Sequence, residues 1–600
     1  MSTAAPPVDV EEPWTRPRLA WVWDLCLFTV LAGLFTLCST VTLQGHDNTE
    51  WLSLMEFGGT AHPPGYPLYT LLLRLWGLLP HTNPAAHGAL LSSLLMALAA
   101  VVLTHALEER NGHSYTARLG ALAWALTIPV WRWAGVAEVV ALSCLAAAAF
   151  IWAVHRVDNV EELKPRHGLL LGLILGVGAA HHHSMALLLP LLIKHVIQSH
   201  WQAGAARWFK AVAAGVGGGT AVLVLAYGLL MAWPADPRAD QFSRLDGVSS
   251  VIHHLFRREY GTFSSNAASG SWSPLPSWDL VKDTFFGLHV LVLLAAVALT
   301  GRRAWMTLLC WVLTGPWLLG GFTVQTAEGQ LVASLETRER FHALPLMLIV
   351  VMASDALAAA AYQLPPRRGQ TYTRALGALV TTAVLLAGPL RLTDVSWKGE
   401  LAVEDTFRAA MRSAPRNAVV VTTGDAWQMG FTLMALREHR EDLAHLQWPR
   451  AFNGNKPDDD AKALISSVCA WPCPPDQWHV AMAALAEQRP VVFFPAVGAA
   501  KVMEGEPLGV EALFARLGPN LPPLEEQAGA LKAFQEQAQF RPSLDDPRRF
   551  WEHHAVAVWA APWLVLMDAA GKAGNAELKA RAQQEALQIM GQIPGSSAAR

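Results

Sequence analysis

Charged side chains are scarce in this chain: Asp, Glu, Lys and Arg make up 16% of its 600 residues, against roughly a quarter in soluble globular proteins. That shortage excludes a cytosolic enzyme, a collagen and a disordered tail. Positive charge is not in excess either. The 45 Lys and Arg against 48 Asp and Glu give a formal charge of −3, so no broad basic surface is available to neutralise a phosphate backbone, and nucleic acid is not an expected partner. Six cysteines in so long a chain do not make a disulfide framework. Cys26, Cys38, Cys144 and Cys310 fall inside apolar runs as small hydrophobes. Cys469 and Cys473, in SVCAWPCPP, lie in a polar region. An exported, oxidising compartment favours a bridge between them, whereas a helix-like i, i+4 spacing leaves both thiols free.

The chain is filled instead by apolar runs, 52% of it being AVILMFWYC. Runs such as Ala20 to Thr42 and Leu169 to Val196 are long enough to cross roughly 30 Å of hydrocarbon. Hydropathy gives about eleven spans, near 20–42, 85–106, 118–133, 137–154, 168–180, 184–198, 211–233, 283–300, 304–322, 342–361 and 375–391. The first run is longer than a signal-peptide core and lacks a small-residue cleavage site, so it reads as a retained anchor. With the N-terminus in the cytoplasm, Arg16 and Arg18, Arg110 and Arg118, Arg156, Lys164 and Arg166, Arg207 and Lys210, Arg302 and Arg303, and Arg367, Arg368 and Arg374 all fall inside. The expected location is a plasma membrane, with membrane lipid as a partner.

An odd number of spans then exports everything after about residue 392, together with loops 43–84, 234–282 and 323–341. In the tail, NAVVVTTGD, AWQMGFTLMALREHRED, LAHLQW and RPVVFFPA read as strand, helix, strand and strand of a small parallel α/β unit. The stretch from about 545 reads as a helical hairpin broken at Gly571 and Gly574. The expected organisation is a cytoplasmic tail (1–19), a mainly α, polytopic membrane helix bundle (20–391) carrying an outer loop at 43–84, an exported, periplasmic α/β domain (392–540) and a C-terminal helical hairpin (541–600).

Function should lie where the outward side carries groups that the membrane penalises. QGHDNTEW offers Asp47 and Glu50 just after the first span. The loop continues into GGTAHPPGYPLYTLLLRLW, where Pro63, Pro64 and Pro67 favour an extended entry into an amphipathic segment along the interface. WRWAGVAEVVAL places Glu138 at the outer start of a span. GAAHHHSM sets His181, His182 and His183 in an apolar stretch; three consecutive His do not share a helix face, so one metal on all three would need irregular backbone. Rings donating to an anionic ligand fit that pattern better. FRREYG (Arg257, Arg258, Tyr260) and LETRERFH (Arg338, Glu339, Arg340) put paired arginines on the side where few are expected. Solvated loops and span ends reaching into headgroups are the ordinary readings of each cluster alone. Outward carboxylates together with outward arginines suggest a base facing a phosphate.

Taken in order, GHDNTEW, AHPPGYPLY, VAEVVAL, GVGAAHHHSMALLLP, RREYG, the ERF at Glu339 to Phe341 and TTGDAWQ with REHRED resemble the bacterial branch of the family that includes the metazoan protein O-mannosyltransferase of plexin-type receptor domains. HPPGYPLY is the most specific element. The family's Gly-Asp-Ser-x-Glu loop reads Gly45-His46-Asp47-Asn48-Thr49-Glu50 here, with a His inserted before the Asp, and Val140 stands where the family has Tyr. The resemblance implies a GT-C membrane glycosyltransferase that takes a sugar, mannose-like, from a polyprenyl-phosphate carrier. It transfers that sugar to a protein or glycan acceptor on the outer face.

On this reading Asp47 is the general base of one inverting displacement, with Glu50 beside it, and like charge from Glu50 or Glu138 raises its basicity. Glu138 orients hydroxyls. His62 and one of His181 to His183 bind sugar or phosphate, and Arg340 with Arg338, Arg257 or Arg258 clamps the phosphate. No cofactor is required beyond the lipid-linked donor, and the residues do not indicate a metal. Two other classes compete: a transporter or flippase, which should show inverted repeats that are not visible here, and an interaction protein working through its tail.

Overall fold

The computed structural model describes residues 20–112, 114–160, 162–193, 204–236, 245–258, 302–318, 339–362, 371, 375, 392–423, 425–448, 459–499, 503, 508–518, 520–544 and 549–593. Its membrane part contains α1 (Ala20–Cys38), α2 (Asn48–Phe57), α3 (Pro67–Gly77), α4 (Pro84–Asn111), α5 (Ser114–Ala125), α6 (Ile128–Ala134), α7 (Val140–Asp158), α8 (Pro165–Ala179), α9 (Ala205–Ala232), α10 (Val248–Leu255), α11 (Arg302–Val312) and α12 (Ala343–Tyr362). Among the described residues six helices are long and apolar enough to cross a membrane, and one of these, Phe550–Lys572, packs on a sheet instead. The span expected near 118–133 is two helices, α5 and α6: Thr127 is extended, and Pro129 in the first turn of α6 has no N–H to continue the ladder. The span expected near 283–300 lies outside the described residues, and those near 184–198, 304–322 and 375–391 lie partly outside.

Packing follows composition. One core gathers Leu31, Phe35, Met96, Leu103, Trp124, Phe150 and Met347 from α1, α4, α5, α7 and α12. Exposed Trp21, Leu37, Phe209, Val216 and Val224 give α1 and α9 apolar outer surfaces, the arrangement expected toward lipid. The pair α8 and α9 meets backbone to backbone. A Cβ at Gly172 would lie 1.9 Å from the Gly215 carbonyl oxygen, and small residues at this spacing let membrane helices approach closely.

After the bundle the chain builds α13 (Ala402–Ser413), β1 (Val419–Thr422), α14 (Asp425–Met429), α15 (Phe431–Arg437), β2 (Ala444–Gln447), α16 (Trp478–Gln488), β3 (Val491–Phe494), β4 (Leu508–Glu511), β5 (Phe514–Leu517), α17 (Leu524–Gln537), α18 (Phe550–Lys572) and α19 (Ala576–Met590). The sheet order is β2-β1-β3-β5-β4. β1 pairs in parallel with both β2 and β3, whereas β5 pairs antiparallel with β3 and β4. β1 and β3 are buried throughout, the pattern of strands covered on both faces. The α18–α19 turn falls at Gly574, in the left-handed region, and Asn575 caps α19; Gly571 stays within α18. Cys469 and Cys473 form a disulfide across a non-helical turn with Cα atoms 5.6 Å apart, so the helix-like spacing that would leave them free does not exist.

One core is shared by both parts of the molecule. Trp51, Leu52 and Tyr69 of α2 and α3 pack in the same cluster as Phe407, Trp427, Phe494 and Trp559 of the α/β domain. Glu404 accepts from the Leu43 N–H at 2.8 Å, and the Glu400 carbonyl accepts from Thr42 Oγ1 at 2.9 Å. The segment that leads to Asp47 is thereby fastened to the domain that follows the bundle.

Candidate active site

Asp47 sits at the N-cap position of α2, where an aspartate usually accepts from the helix's first free N–H groups. Here the side chain makes no such bond. Gly45 and the left-handed His46 (φ 56°) turn the chain before it, and its carboxylate meets Arg340, whose Nη1 donates to Asp47 Oδ2 at 2.7 Å. The same Nη1 donates to Glu138 Oε1 at 3.3 Å. Glu138 is fully buried, whereas Asp47 and Arg340 keep 26% and 14% of their side-chain surface, so the cluster opens to solvent on the Asp47 side.

Glu138 lies in the turn before α7. Its other oxygen accepts from Trp51 Nε1 and from the Val139 N–H, each at 3.3 Å. Asn48 donates to the Ala137 carbonyl at 3.2 Å, tying α2 to the same turn. Glu50, one turn into α2, accepts from the backbone N–H of His62 at 2.6 Å and from its ring Nδ1 at 2.5 Å. Tyr66 Oη reaches the far ring nitrogen at 3.3 Å. The HPPGYP segment is a turn rather than an extended entry: Gly65 donates back to the His62 carbonyl at 2.8 Å, and Gly65 and Tyr66 have positive φ. The amphipathic α3 follows, burying Tyr69, Thr70 and Leu73 and exposing Leu75.

The electrostatics separate these groups. Burial opposes charge on Asp47, but the Arg340 guanidinium and the nearby His62 hold it well below the usual carboxylate range. Like charge was expected to raise Asp47, and the adjacent cation reverses that expectation. Burial pushes Glu138 up despite Arg340. Burial also opposes charge on His62, yet the Glu50 and Asp47 carboxylates push it up to about 9.

The ERF motif divides its charges. Glu339 is buried with Oε2 3.9 Å from Nε of the fully buried Arg132, while Arg340 faces the opposite way toward Asp47. Arg132 donates to Glu400 at 2.9 Å and stacks over Trp397. His181 places Nε2 2.9 Å from both the Val139 carbonyl and Ser143 Oγ, and burial pushes it down to about 4, so it braces the Glu138 turn. His182 is half-buried, its ring 5.5 Å from that of Tyr66 and 6.1 Å from that of Phe341, and His183 is exposed. Arg257 is half-buried and Arg258 exposed at the end of α10. Tyr260 and Arg338 lie outside the described residues. The structure therefore brings together Asp47, Glu50, His62, Glu138 and Arg340, with His182 at the edge, and leaves Arg258 and His183 at the surface.

Ligand atoms of Asp47, Glu50 and His62 all lie within 4.8 Å of one another, so this trio could hold a divalent ion. His62 Nδ1 and Glu50 Oε2 at 2.5 Å are closer than two neighbouring ligands on bonds of about 2.1 Å allow. An ion there requires His62 to lose its proton and the pair to open.

Sequence reading missed Arg132, Tyr66 and the Glu400–Glu404 anchors. Arg132 had a signal, a charge inside the apolar WRWAG run. Glu400 and Glu404 lie more than 350 residues from the segment they hold, and no local pattern announces that contact.

The mainly helical architecture, with several helices apolar and long enough to cross a membrane, is that of an integral membrane protein with an ArnT-like fold. ArnT from Cupriavidus metallidurans bound to undecaprenyl phosphate has this fold, with a TM-score of 0.51 at 13% identity over 84% of this chain and 100% of that one. The apo state of that protein gives a TM-score of 0.47 at 12% identity over the same 84% and 100%. Residues 47–204 match the family described as the Protein O-mannosyl-transferase TMEM260 N-terminal domain. Protein O-mannosyl-transferase TMEM260 of Mus musculus is 26% identical over 317 residues, 50% of this chain and 44% of that protein. The chain thus spans less than half the length of the curated relative it matches.

Proposed function

We propose that this chain is a membrane glycosyltransferase, moving a sugar from a polyprenyl-phosphate carrier to an acceptor hydroxyl on the outer face of a bacterial inner membrane, with inversion at the anomeric carbon. The observation that carries the reading is the position of Arg340, one guanidinium in contact with an exposed carboxylate, Asp47, and a buried one, Glu138. The mouse relative, named as a protein O-mannosyl-transferase, favours mannose and a protein acceptor. Asp47 accepts the acceptor proton as the acceptor oxygen attacks, and Arg340 stabilises charge on the departing phosphate. A phosphate leaves as a stable anion, so no strong general acid is needed. Glu138 and Trp51 hold Arg340 and Asp47 in register, and the His62–Glu50 pair keeps a positive charge beside the base. His182 and Arg257 are candidates for sugar and phosphate contacts.

The test is transfer from a panel of radiolabelled polyprenyl-phosphate sugars to membrane acceptors by purified protein, wild type against Asp47→Asn. Loss of transfer with donor binding kept supports the reading, and equal transfer by both removes Asp47 as the base. Absence of donor binding by either protein would direct attention to a transporter.

A further inference from the structure

Arg340 meets its two carboxylates unevenly. Both Asp47 and Glu138 are reached through Nη1 alone, at 2.7 and 3.3 Å. Nε is buried and has no hydrogen-bond partner among the described residues. Nε shares with Nη2 the edge whose two parallel N–H groups match the spacing of two phosphate oxygens. A buried donor without a partner carries a desolvation cost that a ligand there would relieve. Among the described residues no other carboxylate contacts that guanidinium. The further charged and titratable groups acting on this cluster are His46, Glu50, His62, Tyr66, His182 and Arg257, so Asp47 and Glu138 are the anions it holds.

We infer that Arg340 couples the donor to the base: the lipid phosphate takes the Nε–Nη2 edge, draws the guanidinium's charge away from Asp47, and makes Asp47 competent to take a proton once a donor is bound. This rests on the transferase reading above. In the donor-free protein Asp47 is occupied as the counterion of Arg340 and is a poor base, so activation of water or acceptor is suppressed before the sugar arrives. With phosphate bound, one guanidinium serves a third anion besides Asp47 and Glu138 and holds each less strongly. In the step itself the bond between the acceptor oxygen and the anomeric carbon forms while the bond from that carbon to the phosphate oxygen breaks. The electron pair stays on the phosphate, and the acceptor proton passes to Asp47 and then to water.

Linkage makes the coupling reciprocal: if phosphate loosens Arg340 from Asp47, neutralising Asp47 must tighten phosphate binding by the same factor. The experiment measures binding of undecaprenyl phosphate in detergent to wild type, Asp47→Asn, Arg340→Gln and the double variant, each shown to be monodisperse and helical. Asp47→Asn is expected to bind about tenfold tighter than wild type, within the usual range of coupling between sites. Arg340→Gln should bind more weakly, and adding Asp47→Asn to it should give no gain. Glu56→Gln, which removes a charge from the far end of α2, should leave binding unchanged. Equal or weaker binding by Asp47→Asn overturns the coupling, as does a gain that persists without Arg340, since Asp47 would then merely repel the phosphate. If Arg340→Gln does not fold, Arg340→Lys keeps the charge but lacks the two-edged geometry, and the gain from Asp47→Asn should vanish there too. No lipid-phosphate binding by a folded wild type would overturn the transferase reading and, with it, this inference.

Discussion

Glu50 holds His62 twice, through the backbone N–H at 2.6 Å and the ring at 2.5 Å, and so pins the HPPGYP turn to α2. Glu50 and Asp47 push His62 up to about 9 in the folded protein, above the ordinary value near 6.5. The folded state therefore binds the proton more tightly than the unfolded chain. Stability from this pair is fully present below about pH 6.5 and is lost as the pH rises through about 9. Thermal unfolding in detergent, followed by tryptophan fluorescence, should show a midpoint that falls across that window in wild type. The fall should be smaller in His62→Gln, and an identical pH dependence in both proteins would refute the assignment.

Asp47→Asn removes the proposed base while preserving its shape. Transfer should drop by about 10² to 10⁴, the usual contribution of a positioned general base, while the unfolding midpoint falls modestly because Arg340 loses one of its two carboxylates. A fall of less than tenfold in single-turnover transfer would argue against the role.

Glu138→Gln leaves an acceptor for Trp51 Nε1 but takes one carboxylate from Arg340. Arg340 should then collapse onto Asp47 and misplace both groups. Turnover should fall by about 10², the scale of an ångström's displacement at a reacting centre. The KM for donor should change much less. An effect confined to KM would make Glu138 a binding residue instead.

Arg132 is fully buried, donates to Glu400 at 2.9 Å and lies 3.9 Å from Glu339. Arg132→Ala takes a buried cation away from Glu339 and from Glu400, which keeps Arg549 at 3.5 Å, and should cost up to about 3–5 kcal/mol. Arg132→Lys should recover part of this, and denaturant unfolding of the three proteins measures it. A loss below about 1 kcal/mol would mean that the network is hydrated and not the anchor of the 339–340 segment.

Gly45 lies against the face of Trp551, at the start of α18: a Cβ there would fall 1.9 Å from the indole Cγ. Gly45→Ala should push the α/β domain off the Asp47 loop, destabilising the protein by about 1–3 kcal/mol as an overpacked contact. Proteolysis between the two parts should accelerate. Adding Trp551→Ala should restore part of the lost stability, and no rescue would show that the strain lies elsewhere.

Much of the site was visible in single residues because the membrane makes polar groups conspicuous. Asp47, Glu50, Glu138 and Arg340 stand out against apolar neighbours for that reason. The strands β1 and β3 stood out as short, continuous runs of Val and Phe. The β4–β5 hairpin did not, since LGVEALFARL alternates weakly and turns at Ala512, a residue in the left-handed region with no glycine to mark it. The break between α5 and α6 was hidden because the apolar run continues across Pro129.

Composition and periodicity are local properties, and the sequence by itself determined the membrane character, the mainly helical fold and the inventory of charged groups. Partnership was decided by tertiary structure alone. Asp47 could have neighboured Glu50 or Glu138 as a raised carboxyl, but the turn that leads into α12 brings Arg340 onto it from 293 residues away and reverses the sign of its shift. Coulomb energy depends on separation in space and on local dielectric, and neither is encoded in distance along the chain.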